Sequence, residues 1–540
     1  MLEHNEVEDL LIKAARSGEL VDISNEPDRD VRAVVIRSLL RDEGAEKPDP
    51  RGVRLRGARI IGGLDLTDVR TSVPLVLTSC EHEAPIVLER AHLPYLDISD
   101  STFPEFLGDC FICDNDVVMA EVRCRRIRLI NSKITGMLNV SGAVLTATDE
   151  PALHADRMAV NHLAAIGLRA SSDSELGTLR LLDATIPGQL DLHAAAIDAT
   201  RGPALAADWI KVNSGLLIGD GFRATSNSAL GAIRLPGATI TGQLLLTGAT
   251  ITASEGPALF ADRLTVHGSV HLSTGFRASS TSEEATLRLP GATITGQFRL
   301  REAEVTNAAA AHLVLDLASA QVQGDLVLSL QTISGEDNHP FQMQVNGFAY
   351  PFIPREAGCQ EWLRLLAEHT PEYAAQPYQQ LAAVYRAAGH DREVRRILIA
   401  QQVDHRRRGH LGNRIQKLLH RANGAFIGYG HRPWRALAFL ALVGLVAVAV
   451  ATSASLLGFA VHPVKSPGEA PTACSSAEAI GLALDTSIPV LKLGGEKKCE
   501  IAATGWGQAF YLANYLLQML GWAFATLFVA GYTGLVRKNS

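Results

Sequence analysis

Four of the seven cysteines lie in the first quarter of the sequence, and two of them have a spacing that could bind a metal ion. Cys110-Phe-Ile-Cys113 has the two-residue gap of a metal knuckle. A structural zinc site requires a second close pair of ligands, whereas Cys80 and Cys124 stand alone. Alternation of cysteine with apolar residues also fits a buried strand, in which the thiol acts as a small apolar group. We favour the buried strand over a metal or redox site, and we expect the single Cys359 to be buried.

A glycine-rich segment, Gly219-Asp-Gly221-Phe-Arg-Ala224, matches the letters of a dinucleotide-binding motif. That motif binds a pyrophosphate only where its last residues open a helix. Here Thr225-Ser-Asn-Ser follows, and the equivalent segment one repeat later reads Ser273-Thr-Gly-Phe-Arg. We interpret both segments as turns of a repeat and predict no nucleotide site.

Charged residues recur in columns through the middle of the sequence. The positions are Arg180, Arg234 and Arg288, then Arg223 and Arg277, and finally Asp208 and Asp262. Acidic and basic side chains that converge in one groove can act on polysaccharides, but such recurrence more often marks solvated faces or local ion pairs of little energetic weight. Equivalent residues of successive repeats are expected about 10–15 Å apart, too far for one catalytic centre. No spacing suggests nucleophilic catalysis. We therefore predict no catalytic, cofactor-binding or metal-binding residues, lean against an enzyme, and leave any cofactor unknown.

These columns belong to a long internal repeat. The segment from Ile233 to Leu246 returns almost letter for letter from Leu287 to Leu300, and the marker glycines Gly136, Gly188, Gly242 and Gly296 recur at steps of 52, 54 and 54 residues. Within each unit, short runs of alternating apolar residues are separated by Gly, Thr, Ser or Asp, which is typical of very short half-buried strands. The sequence predicts a mainly β protein with a parallel β-helix, in which one repeat spans two or three coils.

The flanking patterns extend this prediction to the whole chain. We expect an N-terminal helical cap at residues 1–50, the parallel β-helix at 51–345, a basic α-helical connector at 354–423, transmembrane helices at 436–461 and 509–536, and an extracytoplasmic loop at 462–508. In the cap, Asp28 and Asp30 are candidate helix caps. The segment from Tyr378 to Ile399 is either a tetratricopeptide-like hairpin docked on the end of the β-helix or a plain connector.

Two uncharged apolar runs, Ala436–Val461 and Ala509–Val536, are long enough to span a membrane, and basic residues precede the first and follow the second. By the positive-inside rule both termini are cytoplasmic, which predicts a multi-pass protein of a bacterial inner membrane. The basic residues expected at anionic lipid head groups are Arg406, Arg407, Arg408, Arg414, Lys417, Arg421, Arg432 and Arg435. No nucleic-acid partner is expected, because the net charge is −7 and no aromatic platform accompanies the basic run.

The loop between the spans contains two further features. Cys474 and Cys499 both fall outside the cytoplasm in this topology, where disulfides persist, so we predict a disulfide between them. The apolar segment 477–493 has the length of a re-entrant or interfacial helix, with Asp485 as its polar candidate. Small residues one turn apart, such as Ala447 and Ala451, suggest that the spans pack on each other or on a second subunit, although they also fit lipid-facing positions.

The chain resembles a family of uncharacterised bacterial membrane proteins that is often labelled "membrane-associated oxidoreductase". The matching segments are Arg51-Gly-Val-Arg-Leu-Arg-Gly-Ala-Arg-Ile-Ile-Gly62, the hairpin from Tyr378 to Ile399, Gly428-Tyr-Gly-His-Arg-Pro-Trp-Arg435, Leu484-Asp-Thr-Ser-Ile-Pro-Val490 and Gly531-Tyr-Thr-Gly-Leu-Val-Arg-Lys538. The resemblance implies membrane association and, through the label, an oxidoreductase activity. None of these segments contains a motif for flavin, nicotinamide, haem or an iron–sulfur cluster.

Three functional hypotheses follow. The first is a membrane protein whose cytoplasmic β-helix is a binding or scaffolding surface for a protein partner. The second is the membrane-associated oxidoreductase that the resemblance implies. The third is an oligomeric pore built from the two spans and the 477–493 segment.

Overall fold

The computed structural model of the protein divides into two compact units, Met1–His390 and Asp391–Ser540. The structure describes residues 5–41, 48–309, 313–329, 341–409, 418, 421–422, 424–426, 428–429, 432–462, 472–488, 498–501 and 505–533. The first unit contains the repeats, and the second contains the apolar runs.

The first unit is a parallel β-solenoid of about 11 turns, which confirms the predicted fold class. A full coil contributes four short strands, as in Leu287–Arg288, Thr293–Ile294, Phe298–Arg301 and Glu304–Asn307, which we name the first, second, third and fourth faces. Each strand pairs in parallel with its equivalents in the coils before and after it. Alternate residues point inward, so each coil stacks an apolar row on the next.

The strand bounds are as follows. The first face contains Leu64–Asp65, Ile86–Val87, Glu105–Leu107, Arg126–Arg128, Leu153–His154, Leu179–Arg180, Leu205–Ala206, Ile233–Arg234, Leu259–Phe260, Leu287–Arg288, Leu313–Asp316 and Gln342–Gln344. The second face contains His92–Leu93, Ile112–Cys113, Thr185–Ile186, Lys211–Val212, Thr239–Ile240, Thr265–Val266, Thr293–Ile294 and Gln321–Val322. The third contains Val21–Asp22, Val53–Arg56, Leu75–Thr78, Leu96–Asp97, Val117–Val118, Gln189–Asp191, Gly215–Leu217, Gln243–Leu245, Val270–Ser273, Phe298–Arg301 and Leu326–Leu328, and the longer Lys133–Asn139 and Ala159–Ala164 join the second and third. The fourth contains Asp30–Arg32, Arg59–Ile61, Glu81–His82, Arg123–Cys124, Val144–Thr146, Arg169–Ser172, Ala196–Ala199, Arg223–Ser226, Thr250–Ala253, Arg277–Ser280 and Glu304–Asn307.

The 54-residue repeat is two coils long. Ile233 pairs with Leu259, and Leu259 pairs with Leu287, which is the start of the next copy of the repeat. The coils also lengthen along the chain: Phe106 to Ile127 is a step of 127 − 106 = 21 residues, whereas Leu259 to Leu287 is a step of 287 − 259 = 28 residues. The added residues form loops between the fourth and first faces, which we name the corner loops.

The marker glycines lie where the turns between the second and third faces stack. The amide of Gly268 donates to the carbonyl of Gly242, and the amide of Gly296 donates to the carbonyl of Gly268. A Cβ atom on Gly242 would lie 1.3 Å from the carbonyl oxygen of Ser214. Glycine therefore recurs here because successive backbones approach too closely for a side chain.

The N-terminal segment contains helices α1, Glu6–Ser17, and α2, Ala33–Leu40, but it also contributes strands to the solenoid. Val21 pairs with Leu55 of the third face, and Asp30–Arg32 pairs with Arg59–Ile61 of the fourth. The expectation that Asp30 caps the second helix is wrong, because this residue starts the strand that precedes it.

A buried carboxylate holds the N-terminal segment together. The Glu8 side chain on α1 is fully buried and accepts hydrogen bonds from the backbone amide, Nε and Nη2 of Arg32 at 3.0, 2.8 and 2.5 Å. These bonds lower the pKa of Glu8 to about 2. The pair ties α1 to the strand that starts the fourth face.

Helices α3, Cys359–Glu368, and α4, Ala375–Ala387, cover the last coil. Gln376 accepts from the amide of Gly347 and donates to the carbonyl of Phe348, and Gln380 donates to the carbonyl of Tyr350. These bonds satisfy backbone groups that an open sheet edge would expose. The boundary between the two units falls at His390, so only the first helix of the predicted hairpin belongs to the solenoid unit.

The second unit contains α5, Asp391–Arg408, α6, Trp434–Leu456, α7, Ser476–Ser487, and α8, Gly507–Tyr532, together with an antiparallel pair of strands, Ala460–Val461 and Glu500–Ile501. Helices α6 and α8 are long and apolar enough to cross a membrane. Each helix begins two residues before the start of its predicted span, and they end at Leu456 and Tyr532, before the predicted span ends.

We expect Gly242→Ala to destabilise the surrounding coils by at least about 2 kcal/mol, because the new methyl group would overlap the carbonyl of Ser214. Gly215→Ala is the control, because the equivalent position one coil later is Gln243, which carries a side chain. Hydrogen exchange of residues 239–246 in the full chain measures the difference. Equal protection in the two variants would contradict this explanation of the repeat.

We also expect the solenoid to lose stability in acid through His82. Its ring is buried against Phe103, and neither nitrogen has a hydrogen-bond partner among the described residues. Burial lowers the pKa of His82 from 6.5 to about 4, so the unfolded chain binds a proton that the folded chain excludes. Stability should fall by about 1.4 kcal/mol per pH unit between pH 6.5 and about pH 4, where the folded chain also becomes protonated. The His82→Ile variant carries the residue found at the paired position of the preceding coil, Ile60. In this variant the difference in stability between pH 7 and pH 5 should become smaller. An unchanged difference would show that His82 is not the group responsible.

Candidate functional site

The structure separates the two cysteines of the predicted knuckle motif. Cys113 is buried in the solenoid interior, whereas Cys110 is exposed in a turn. Burial raises the pKa of the Cys113 and Cys80 thiols to about 11, which keeps them protonated at neutral pH. Cys124 lies in the same inward column as Phe103, and Cys359 starts α3 half-buried. The knuckle spacing therefore reflects a strand and its turn.

The recurrent arginines of the first face form ion pairs between neighbouring coils. Nη2 of Arg234 is 2.6 Å from Oδ2 of Asp208, and Nε of Arg288 is 2.9 Å from Oδ1 of Asp262. The guanidinium groups of Arg234 and Arg288 also lie 4.9 and 5.0 Å from the ring centroid of Phe260. These ion pairs join neighbouring coils, and the charges of Arg234 and Arg288 are balanced by Asp208 and Asp262.

The glycine-rich segment is a turn between the third and fourth faces. Gly221 has a φ of 89° and Asp220 a φ of 32°, and the strand Arg223–Ser226 follows directly. No helix begins there, so the segment lacks the helix N-terminus that a dinucleotide requires.

The fourth face carries a column of outward polar side chains that the sequence analysis did not recognise. The column is Thr146, Ser171, Asp198, Thr225, Thr252, Ser279 and Thr306, which are paired in register from coil to coil. Corner-loop residues form a second polar column beside it: Thr148, Asp173, Thr200, Asn227, Ser254 and Thr281. Coil spacing places neighbours in a column about 4.8 Å apart. The signal in the sequence is a small polar residue at every second position, recurring at half of the 54-residue period.

Buried serines fix the corner loops that border this face. The Ser226 hydroxyl donates to the carbonyl of Gly202 at 2.9 Å and accepts from the amide of Ser228 at 3.1 Å. Ser172 and Ser280 make equivalent bonds, since each donates to a carbonyl in the corner loop of the preceding coil, Glu150 or Gly256, and accepts from the amide two residues later. A Cβ on Gly202 would lie 2.3 Å from the carbonyl oxygen of Ser174, so these loops interlock.

The two columns line a groove of about 390 Å³. Its lining residues are Ala147, Thr148, Ser171, Ser172, Asp173, Asp198, Ala199, Thr200, Thr225 and Asn227. The Thr225 hydroxyl donates to Oδ1 of Asp198 at 2.6 Å, and Arg201 joins two corner loops by donating to Asp149 Oδ1 and the Asp173 carbonyl. The lining offers hydroxyl, amide and carboxylate groups, which suit hydrogen bonding to an extended polar ligand.

Arginines and leucines border the groove. Outward Arg169 and Arg223 occupy alternate coils of the fourth face, on the side away from the corner loops. On the loops themselves, Leu176 and Leu230 are 46% and 53% exposed. Asp149 and Glu175 on the same corner loops have side chains that are 83% and 79% exposed, so the surroundings of the groove combine charges of both signs with apolar side chains.

The structure joins Cys474 and Cys499 in a disulfide with a Cα–Cα distance of 6.1 Å. Both residues are buried beside the antiparallel strand pair of the second unit. His462 and Glu478 bring nitrogen and oxygen atoms within 4.8 Å of the Cys474 sulfur. Because that sulfur is bonded to Cys499, the group presents no thiolate to a metal ion.

The predicted membrane-surface arginines differ in their surroundings. Arg407, Arg421 and Arg432 are exposed, and Arg406 and Arg435 are half-buried. Arg408 forms an ion pair at 2.6 Å with the buried Asp404 one turn earlier on α5. Arg414 and Lys417 lie outside the described residues.

The fold and these sites define a β-solenoid protein that also carries two helices suited to a membrane. No family model matches the chain, and no curated protein or solved structure shows detectable similarity to it. The oxidoreductase activity implied by the resemblance stays a prediction.

We expect Ser226→Ala to destabilise the corner loops by about 1–3 kcal/mol, because the buried amide of Ser228 loses its acceptor. The exposed Ser254→Ala, which removes only the bond to Oδ1 of Asn227, should cost less than about 0.5 kcal/mol. Thermal unfolding of the full chain in detergent compares the two. Equal effects would show that the buried hydroxyls do not fix the loops.

Proposed function

We propose that the protein is a two-span membrane protein whose cytoplasmic solenoid binds an extended segment of a partner protein in the fourth-face groove. The observation that carries this proposal is the pair of outward polar columns, of which the first continues over seven coils and the second over six. On the first face, in contrast, the recurrent charges are paired with each other between coils. The fourth face directs its recurrent polar groups outward, and it is also the face that lines the groove.

The chemistry of the groove favours a polypeptide over a glycan. A peptide in extended conformation presents backbone donors and acceptors every few ångströms, which match hydroxyls and carboxylates spaced about 4.8 Å apart. Leu176 and Leu230, two coils apart, can contact apolar side chains of such a segment. Sugar rings are usually bound on aromatic platforms, and the lining residues include no aromatic side chain.

The orientation follows from charge and redox chemistry. Exposed Arg407, Arg421 and Arg432 precede the first span, where basic residues favour the cytoplasmic side and anionic lipid head groups. The disulfide between Cys474 and Cys499 lies between the spans, and disulfides persist outside the reducing cytoplasm. Both arguments support a cytoplasmic solenoid.

A photoreactive amino acid in place of Thr225 should cross-link a protein partner in cells, whereas the same residue at Asn213, exposed beside the second face, should not. Asp198→Lys should reduce the cross-link from position 225 at least about tenfold, because it reverses the charge of a side chain that lines the groove.

Three outcomes would contradict the proposal. These are equal cross-linking from Thr225 and Asn213, cross-links that Asp198→Lys leaves unchanged, and a cross-linked species that glycosidases degrade while proteases do not. Asp198 is exposed, so the variant should keep the unfolding temperature of the native chain.

A further inference from the structure

Helix α7 starts beside the end of α6 and ends beside the middle of α8. The hydroxyl of Ser455, next to the last residue of α6, donates to the carbonyl of Cys474 at 3.0 Å, directly before the helix. At the other end, the carbonyl oxygen of Ser487 lies against Gly521, where a Cβ atom would be only 1.9 Å away. Gly521 is near the centre of α8, so α7 descends from the end of one span to the middle of the other.

The packing along α7 supports the same path. Ala479 and Ala483 form a buried cluster with Ala447 and Ala451 of α6. Ala447 and Ala451, whose spacing suggested close packing of the two spans, therefore pack against α7. At 1.5 Å per residue its 12 residues extend about 18 Å, more than half of a hydrocarbon core of about 30 Å.

The chain enters and leaves this depth from the same side. Ile488 and Lys498 are separated by nine residues in the sequence. The carbonyl of Lys498 lies 2.7 Å from Nδ1 of His462, which directly follows the strand Ala460–Val461 after α6. Ile488 itself lies beside Gly444, near the middle of α6. Helix α7 thus has the geometry of a re-entrant half-helix.

The inner end of α7 is polar and favours a cation. The hydroxyl of the buried Thr486 lies 3.1 Å from Oδ1 of Asn514 on α8 and 2.9 Å from the carbonyl oxygen of Leu482, and its single proton is shared between these acceptors. The last carbonyls of a helix carry partial negative charge, and here they are directed to the middle of the spans. Asp485 is half-buried on the same turn, and carboxylates at this depth mark ion pathways more often than lipid contacts.

We propose that helices α6, α7 and α8 form a cation-conducting module, in which several copies of the chain surround a pathway for monovalent cations at the inner end of α7. One copy leaves most of both spans exposed, including Leu445 on α6 and Leu512, Leu516 and Met519 on α8. A pathway walled by protein requires neighbouring copies, since a single pair of spans cannot enclose water. This function is separate from partner binding by the solenoid.

The test uses the full chain reconstituted in vesicles of phosphatidylethanolamine and phosphatidylglycerol with a potassium chloride gradient. We expect potassium flux that exceeds chloride flux, and cross-linking in the same vesicles should show oligomers. Thr486→Val keeps the shape of the side chain and removes its hydroxyl, and it should lower potassium flux about tenfold.

Thr452→Val is the matched control. Thr452 lies on α6, and its hydroxyl also donates to a carbonyl one turn earlier, but it is remote in sequence and depth from the inner end of α7. Its flux should equal that of the native chain. Absence of flux, equal potassium and chloride flux, a monomeric protein, or equal effects of the two valine substitutions would each overturn the proposal.

Discussion

The close approach of stacked turns is the constraint on which the solenoid depends. Where the turns between the second and third faces meet, the carbonyl of one glycine accepts from the amide of the next, and the space for a Cβ atom is occupied by backbone. This contact fixes the rise and the alignment of the coils. Once they are aligned, apolar residues stack inward and each outward position becomes a column.

That alignment gives the charged and polar columns different roles. On the first face, Arg234 and Arg288 lie within reach of aspartates one coil earlier, so their charges are used inside the structure. On the fourth face, short hydroxyl side chains such as Thr225 and Thr252 point outward, and buried serines such as Ser226 hold the corner loops that border them. The groove is therefore a consequence of the longer coils, because the early coils lack these loops.

The repeat itself could be predicted from the sequence, since the glycines and the alternating apolar residues each have a direct physical cause. The pairing of one column with another could not be predicted from the sequence, because the number of coils per repeat decides which residues are neighbours. Arg234 meets Asp208 only when the repeat contains two coils. Likewise, Asp30 resembled a helix cap, but pairing of its strand with Arg59–Ile61 prevails over the local signal. The contact between the end of α7 and the middle of α8 depends on Gly521, which a sequence pattern shows only as a small residue.

The most direct test of the fourth-face groove is hydrogen exchange of the full-length protein, isolated in lipid discs with its partner and again after the partner is removed by salt. We expect the partner to protect the corner loops at residues 147–150, 173–176 and 200–202, which border the groove. Protection confined to the other three faces, or to the ends of the solenoid, would contradict the assignment of the groove as the binding surface.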